Sequence, residues 1–483
     1  MRIFGFWTAL LCYNNPSFMA GKNIVSLSCS VILLSFIWAA LAPAEAQPER
    51  PPYLELAEKI ARKGLEEGYA YTIVQKLTRI GGRLTASPQA TAAVELMSQE
   101  MQTLGFDKVH LEPTIVGRWV RGSVEEGRII STALGSIPIS VCALGGSEGT
   151  PEAGISTQVL EVRSFEELRK FGEKARGKII FFNRPMDPTH IDTFEAYGQA
   201  ADQRVSGAVE AGKAGGVAAL VRSLTLVEDD FPHTGLMRYE TGVARLPAIS
   251  ISTKGANVLS QALEKDPELV VFLKTSSENL SPVTSYNVVG EITGSEKPQE
   301  IILLGAHLDS WDLGEGAHDD GAGCGQVIDA LRLIKQLGLR PKRTIRAVLF
   351  MDEEFGGTGG RDYARSELRK AETHLVAIES DRGGFLPLGF DIGGGDAMLN
   401  KVRPWEYLFK PLGLCWIRPG GGGVDIGPLA ASGTILTGLV PDSQRYYDFH
   451  HCSRDVLEAV HPRELELGAV DLAIFSLVLA DNF

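Results

Sequence analysis

Residues 301–354 read IILLGAHLDSWDLGEGAHDDGAGCGQVIDALRLIKQLGLRPKRTIRAVLFMDEE, and the order of their apolar and polar runs decides the fold. The run 301–304 predicts a strand that ends just before His307. Residues 326–335 have helical spacing, and 344–350 predict a buried strand running into Asp352-Glu353-Glu354. A further helix and strand lead to Glu379-Ser380-Asp381. Strands alternating with helices imply an α/β fold, a mainly parallel mixed sheet flanked by helices. In such sheets the polar groups at strand C-terminal ends converge on one crevice.

Towards the N-terminus, 53–78 read as one helix, and Val94, Met97, Met101 and Leu104 mark the buried face of another, stopped by Gly105. The β-branched content of 109–116 predicts a strand bounded by Gly117. Between 118 and 282 the character changes to short apolar runs, such as 179–182, 217–221 and 246–251, separated by Gly-rich and polar loops. This predicts a separate small α/β or β-rich unit. Two acid and histidine groupings fall there, Asp187 with His190 and Asp192, and Asp229-Asp230 with His233; both read as solvated loops. Regularity returns after Pro282, and a final helix is expected over 463–480.

The 483 residues carry 47 basic and 60 acidic side chains, a net charge of −13, with 44% hydrophobic content. This composition excludes disorder, collagen and coiled coil, and leaves ample chain for a large core. The acidic balance argues against nucleic-acid binding, because no basic stripe is available to displace phosphate counterions. Lys22, the apolar stretch 24–42 and Ala44-Glu45-Ala46 predict a secretory signal over 1–46, with Gln47 as the mature N-terminus and Met19 as an alternative start. The competing reading of that stretch is an uncleaved anchor. A cleaved signal implies a secreted or periplasmic protein with no membrane association. Cys142, Cys324, Cys415 and Cys452 are scattered and contain no CxxC pair, so thiolate zinc and thioredoxin-like chemistry are removed.

Each of three apolar strands runs straight into a carboxylate or an imidazole: 305–309, 351–354 and 379–381. Residues 318–323 at a helix start and 449–455 before the last helix add more. Histidines and carboxylates without thiolates suit a catalytic zinc site, or less readily cobalt or manganese. His307, Asp319, Glu354, Asp381 and His451 are 12, 35, 27 and 70 residues apart, so only the fold can assemble them. Taken singly, each has an ordinary structural explanation: Asp319 and Asp320 as helix caps, Glu353-Glu354 as a solvated pair, His451 as a core histidine. All five segments at predicted strand or helix ends favour the joint reading.

These motifs, together with the stretch 339–344 and Glu353-Glu-Phe-Gly-Gly357, resemble the secreted dizinc exopeptidase family of bacterial aminopeptidases and carboxypeptidase Q, with the carboxypeptidase Q branch nearest. The resemblance implies a zinc peptidase domain from 47–117 and 283–483, with 118–282 similar to an inserted protease-associated domain. It makes Asp319 the carboxylate bridging two zinc ions. His307 and Asp381 complete one metal and Glu354 and His451 the other. Glu353 matches the general base, and Asp309 the carboxylate that orients His307. His450 is the rival for His451, which is selected by its spacing to Asp455. Two zinc ions at +4 against three ligand carboxylates and one hydroxide sum to zero, so such a site can be buried.

The resemblance further implies hydrolysis of dipeptides or short peptides without a covalent intermediate, and suggests a homodimer. Within the Gly-rich loop 418–425, Arg418 and Asp425 are candidates to meet a substrate terminus. The other readings are an aminopeptidase acting on longer peptides and a non-catalytic binding ectodomain of the same fold. The retained ligands and base argue against the latter. Gly145-Gly-Ser147-Glu-Gly149 fits a serine-nucleophile pattern, but Thr150-Pro-Glu-Ala-Gly154 does not read as the helix that an elbow must open.

Overall fold

The computed structural model describes residues 51–483; the expected signal over 1–46 lies outside the described residues. The main sheet has eight strands in the order Lys108–Val120, Glu278–Ile292, Arg343–Phe350, Lys297–His307, Thr373–Glu379, Ile435–Pro441, Pro387–Ile392 and Trp416–Pro419. Its centre is parallel: Lys297–His307 pairs in parallel with Arg343–Phe350 and Thr373–Glu379, which pairs in parallel with Ile435–Pro441. Antiparallel neighbours lie outside that centre, giving the mixed sheet.

Every residue of Arg343–Phe350 is buried, as a strand covered on both faces requires. Helices Ala322–Gln336 and Pro462–Asn482 pack against each other beside the sheet and share one core with helix Pro88–Thr103. Residues 465–480 of the last helix are all buried, so its apolar character runs all round rather than along a stripe.

Two expectations near the N-terminus are corrected. The stretch 53–78 forms two helices, Leu54–Glu66 and Ala70–Thr78. Distant carboxylates make the break: Asp329 accepts the Tyr69 N–H at 3.2 Å, and Glu466 accepts those of Ala70 and Tyr71, capping the second helix at its start. Gly68 permits this approach, since a Cβ there would lie 2.4 Å from the Glu466 side chain. Gly117, in turn, does not end its strand. Lys108–Val120 continues through it with a register shift between Val116 and Arg118 against Glu278–Ile292.

A second eight-stranded sheet draws every strand from between Glu125–Ser131 and Val270–Thr275. Four of its strands, Ile155–Val162, Ile179–Phe182, Ala218–Arg222 and Ala248–Ile251, are consecutive and parallel. The chain leaves for this sheet at Val120 and returns at Glu278, which are register partners. Among the described residues no helix is long and apolar enough to cross a membrane.

Candidate metal centre

The parallel strands deliver their polar ends to one place. His307 closes Lys297–His307, Glu353 and Glu354 follow Arg343–Phe350, and Asp381 follows Thr373–Glu379. Asp319 lies in the turn before helix Ala322–Gln336, where both oxygens of the Asp455 carboxylate hold the backbone. Oδ1 accepts the His318 N–H at 2.7 Å and Oδ2 that of Asp319 at 3.1 Å. Burial raises the Asp455 carboxyl to about 7.

Asp319 divides its carboxylate between two groups of donors. Its Oδ1 stands 3.1 Å from His307 Nε2, which is 3.4 Å from Asp381 Oδ1. Its Oδ2 stands 3.3 Å from His451 Nε2, which is 3.0 Å from Glu354 Oε2. His450 also reaches Asp319 Oδ2, at 3.8 Å, and stacks on His451 with ring centroids 3.4 Å apart. Asp320 accepts the N–H groups of His307 and Gly323, and with His307 and Asp381 it makes a further group able to hold an ion. His318 is absent from the cluster: it stacks on Phe385, and burial lowers its imidazole to about 4.

The cluster is buried and short of positive charge. Among the described residues no lysine or arginine forms an ion pair with Asp319, Glu353, Glu354 or Asp381, and Glu354 Oε1 has no hydrogen-bond partner. Burial would lower the His307 imidazole, yet the Asp381 and Asp319 carboxylates hold it well above its ordinary value. Burial pushes the Glu353 carboxyl well up. Buried carboxylates without cationic side chains, two imidazoles and an orphaned oxygen are the donor set of a cation site. Groups of residues able to hold an ion include His307, Asp319 and Glu354, and Asp319, His450 and His451.

Asp309 meets His307 through its backbone and, at longer range, through its carboxylate. The His307 Nδ1–H donates to the Asp309 backbone carbonyl at 3.0 Å, while the Asp309 carboxylate stands 3.9 Å away. That carboxylate also accepts the N–H groups of Asp352 at 2.9 Å and Glu353 at 3.2 Å, with Thr85 donating to its second oxygen. It therefore fixes the turn that presents Glu353. Asp352 and His451 both adopt positive φ, 73° and 62°, a conformation that costs a non-glycine residue about 1 kcal/mol or more and recurs at functional turns.

Beside the cluster lies a cavity of about 580 Å³ walled from both sheets' connections. The main-sheet side contributes Glu353, Val424, Tyr446, Tyr447 and His450; the segment between the two long strands contributes Phe194, Tyr197, Arg204 and Arg238. None of these last four stands out in the sequence, because each matters only through apposition with a distant segment. His233, read as a loop residue, is buried; its Nδ1–H donates to the His450 carbonyl at 2.6 Å, and burial lowers it to about 4. Arg418 is committed to Asp391 at 2.5 Å, and Asp425 is buried beside Glu379, so neither offers its charge to the cavity. Ser147 is buried and accepts the Ala248 N–H, so it is no exposed nucleophile.

A family model for peptidase family M28 matches residues 287–410. Carboxypeptidase Q of Bos taurus is 36% identical over 402 residues, covering 83% of each chain. The chain belongs to peptidase family M28. A solved peptidase M28 precursor from Shewanella amazonensis superposes with a TM-score of 0.85 at 37% identity, over 89% of this chain and 97% of that one. A zinc aminopeptidase from Bacillus subtilis shares the fold, with a TM-score of 0.59 at 21% identity over 84% and 93% of the two chains. As a member of M28 the chain is a metallopeptidase, and the carboxylate and imidazole cluster is its candidate centre.

Proposed function

We propose that this protein is an exopeptidase holding two zinc ions, which hydrolyses dipeptides or short peptides by direct attack of water. The observation that carries the reading is the division of Asp319, with Oδ1 on the His307 and Asp381 side and Oδ2 on the His451 and Glu354 side. Zinc ions held by those five residues would polarise the scissile carbonyl and acidify water. Glu353 is the general base: it lines the cavity, no ion pair engages its carboxylate among the described residues, and Asp309 fixes its backbone. It takes a proton from water and returns it to the leaving amine. His451 rather than His450 is the ligand, because its Nε2 approaches both Asp319 and Glu354.

Residues 118–282 are read as the inserted, protease-associated-like domain, supported by a sheet that draws no strand from elsewhere. The N-terminal sequence supports a secreted or periplasmic mature protein.

The test is a zinc-loaded preparation given a free dipeptide, its N-acetylated form and a pentapeptide, with cleavage followed by mass spectrometry. The free dipeptide is cut and the N-acetylated one is spared; stepwise trimming of the pentapeptide would point to the aminopeptidase alternative. Glu353→Ala lowers turnover ~10²-fold or more while metal stays bound. Turnover within a few-fold of wild type in that variant would sink the assignment of the base.

A further inference from the structure

The second sheet gathers polar side chains at its strand ends as the main sheet does. Val162, Phe182 and Val221 form one rung across three consecutive parallel strands, so Arg163, Asn183 and Arg222 follow side by side at their C-terminal ends. The Asn183 N–H donates to the Val162 carbonyl at 2.8 Å and keeps that row in register. Helix Thr253–Lys265 adds Asn257, Ser260 and Gln261, at the spacing of three and four that puts side chains on one helical face. These six residues, with Pro185, wall a cavity of about 210 Å³ that shares no residue with the one beside the metal cluster. In parallel α/β sheets the crevice outside the strand C-termini is where ligands bind.

The hydrogen-bonding capacity left open in this cavity is cationic and donating. Arg222 Nη1 donates to Asn183 Oδ1 at 3.2 Å and to Asn257 Oδ1 at 2.7 Å, so both amide carbonyls face the guanidinium. Asn183 Nδ2 and the Ser260 hydroxyl donate to Glu161, at 2.6 and 2.8 Å. Among the described residues neither Arg163 nor Arg222 forms an ion pair, and Arg222 Nη2, Asn257 Nδ2 and the Gln261 side chain have no hydrogen-bond partner. Arg222 Nε is buried without a partner as well. Burial lowers the Arg222 guanidinium below its ordinary value; Glu228 opposes this, and the Arg163 charge adds to it. Two guanidiniums in one wall repel each other, and an anion between them relieves the repulsion. The wall has no aromatic ring on which a ligand could stack and no carboxylate that could hold a cation. We infer that this cavity binds a small organic oxyanion, whose carboxylate or phosphate group is received by the forks of Arg163 and Arg222 with Asn257 and Gln261 donating to the remaining oxygens. The site is separate from the hydrolytic one and holds its ligand with or without zinc.

The test titrates the zinc-loaded protein by calorimetry with succinate, with glycerol phosphate and with uncharged succinamide, and repeats each titration on Arg163→Gln and Arg222→Gln. Succinate or glycerol phosphate is expected to bind and succinamide is not; the tighter of the two anions names the group that the cavity receives. Each substitution is expected to weaken that binding about 10- to 100-fold, the scale of a hydrogen bond to a charged partner. Arg163 is exposed, so Arg163→Gln keeps the outcome readable even where Arg222→Gln unfolds, and thermal melting checks both variants. Absence of binding by either anion to wild type overturns the inference. Binding that the folded variants leave unchanged overturns it too, because the anion then sits elsewhere, as at the metal cluster. Succinamide binding as tightly as succinate overturns it in favour of a neutral ligand. The readout is binding rather than turnover, so a failure here leaves the proposed peptidase activity standing, and a failure of that activity leaves this site standing.

Discussion

The indole N–H of Trp311 donates to Glu354 Oε2 at 2.6 Å, the same oxygen that faces His451 Nε2 at 3.0 Å. The bond fixes which face of the carboxylate turns to the cluster, while the ring packs on Trp119 and Phe355. Trp311→Phe keeps an aromatic ring and deletes only the donor. Zinc affinity is expected to fall about 10- to 100-fold, as outer hydrogen bonds to metal ligands usually contribute. Chelator competition measures it, and an unchanged affinity would show that Glu354 is oriented by packing alone.

The two adjacent histidines separate cleanly. His451→Ala is expected to lose bound metal, whereas His450→Ala retains it and changes substrate binding, since His450 lines the cavity among Tyr197, Tyr446 and Tyr447. Metal analysis of the purified variants decides between them; the opposite pattern exchanges their roles.

Arg83 clamps the loop carrying Trp311. It is fully buried and donates to the carbonyls of Leu308, Glu315 and Gly316. Arg83→Met strands three acceptors and is expected to cost about 3 kcal/mol or more in denaturant unfolding. Arg83→Lys should rescue little, because one ammonium cannot span the fork.

His374 predicts an acid-side stability loss away from the metal cluster. Arg346 donates to the Tyr363 hydroxyl, which shares a hydrogen bond with His374 Nε2 at 2.9 Å. Burial, then the Arg346 and Arg369 charges, lowers the imidazole to about 3. The unfolded chain takes up this proton near pH 6.5 and the folded chain does not, so stability falls as pH drops from about 6.5 towards 3. Unfolding of His374→Gln should depend less on pH across that window; an identical slope would mean that His374 is not held neutral.

The carboxylate and imidazole cluster was legible in the sequence because strand ends are local signals. An apolar run that stops at His307 or just before Asp352 is visible without knowing its neighbours, and the parallel sheet gathers such ends by construction. The helix break at Gly68 was invisible, since it is made by Asp329 and Glu466, more than 250 residues away. Arg204 was hidden for a similar reason: nothing in its surrounding sequence says that its helix faces His451. The contacts of the Asp309 carboxylate to the Asp352 and Glu353 N–H groups were hidden as well, since they join segments more than 40 residues apart.

Val120 and Glu278 face each other across one ladder, so the chain between them departs and returns through a single seam. The same stretch then reaches back to the histidine pair, where the Thr234 N–H donates to the His451 carbonyl at 3.0 Å and His233 to that of His450 at 2.6 Å. A chimera carrying a relative's stretch between Val120 and Glu278 would therefore exchange the backbone support of both histidines together with the cavity wall.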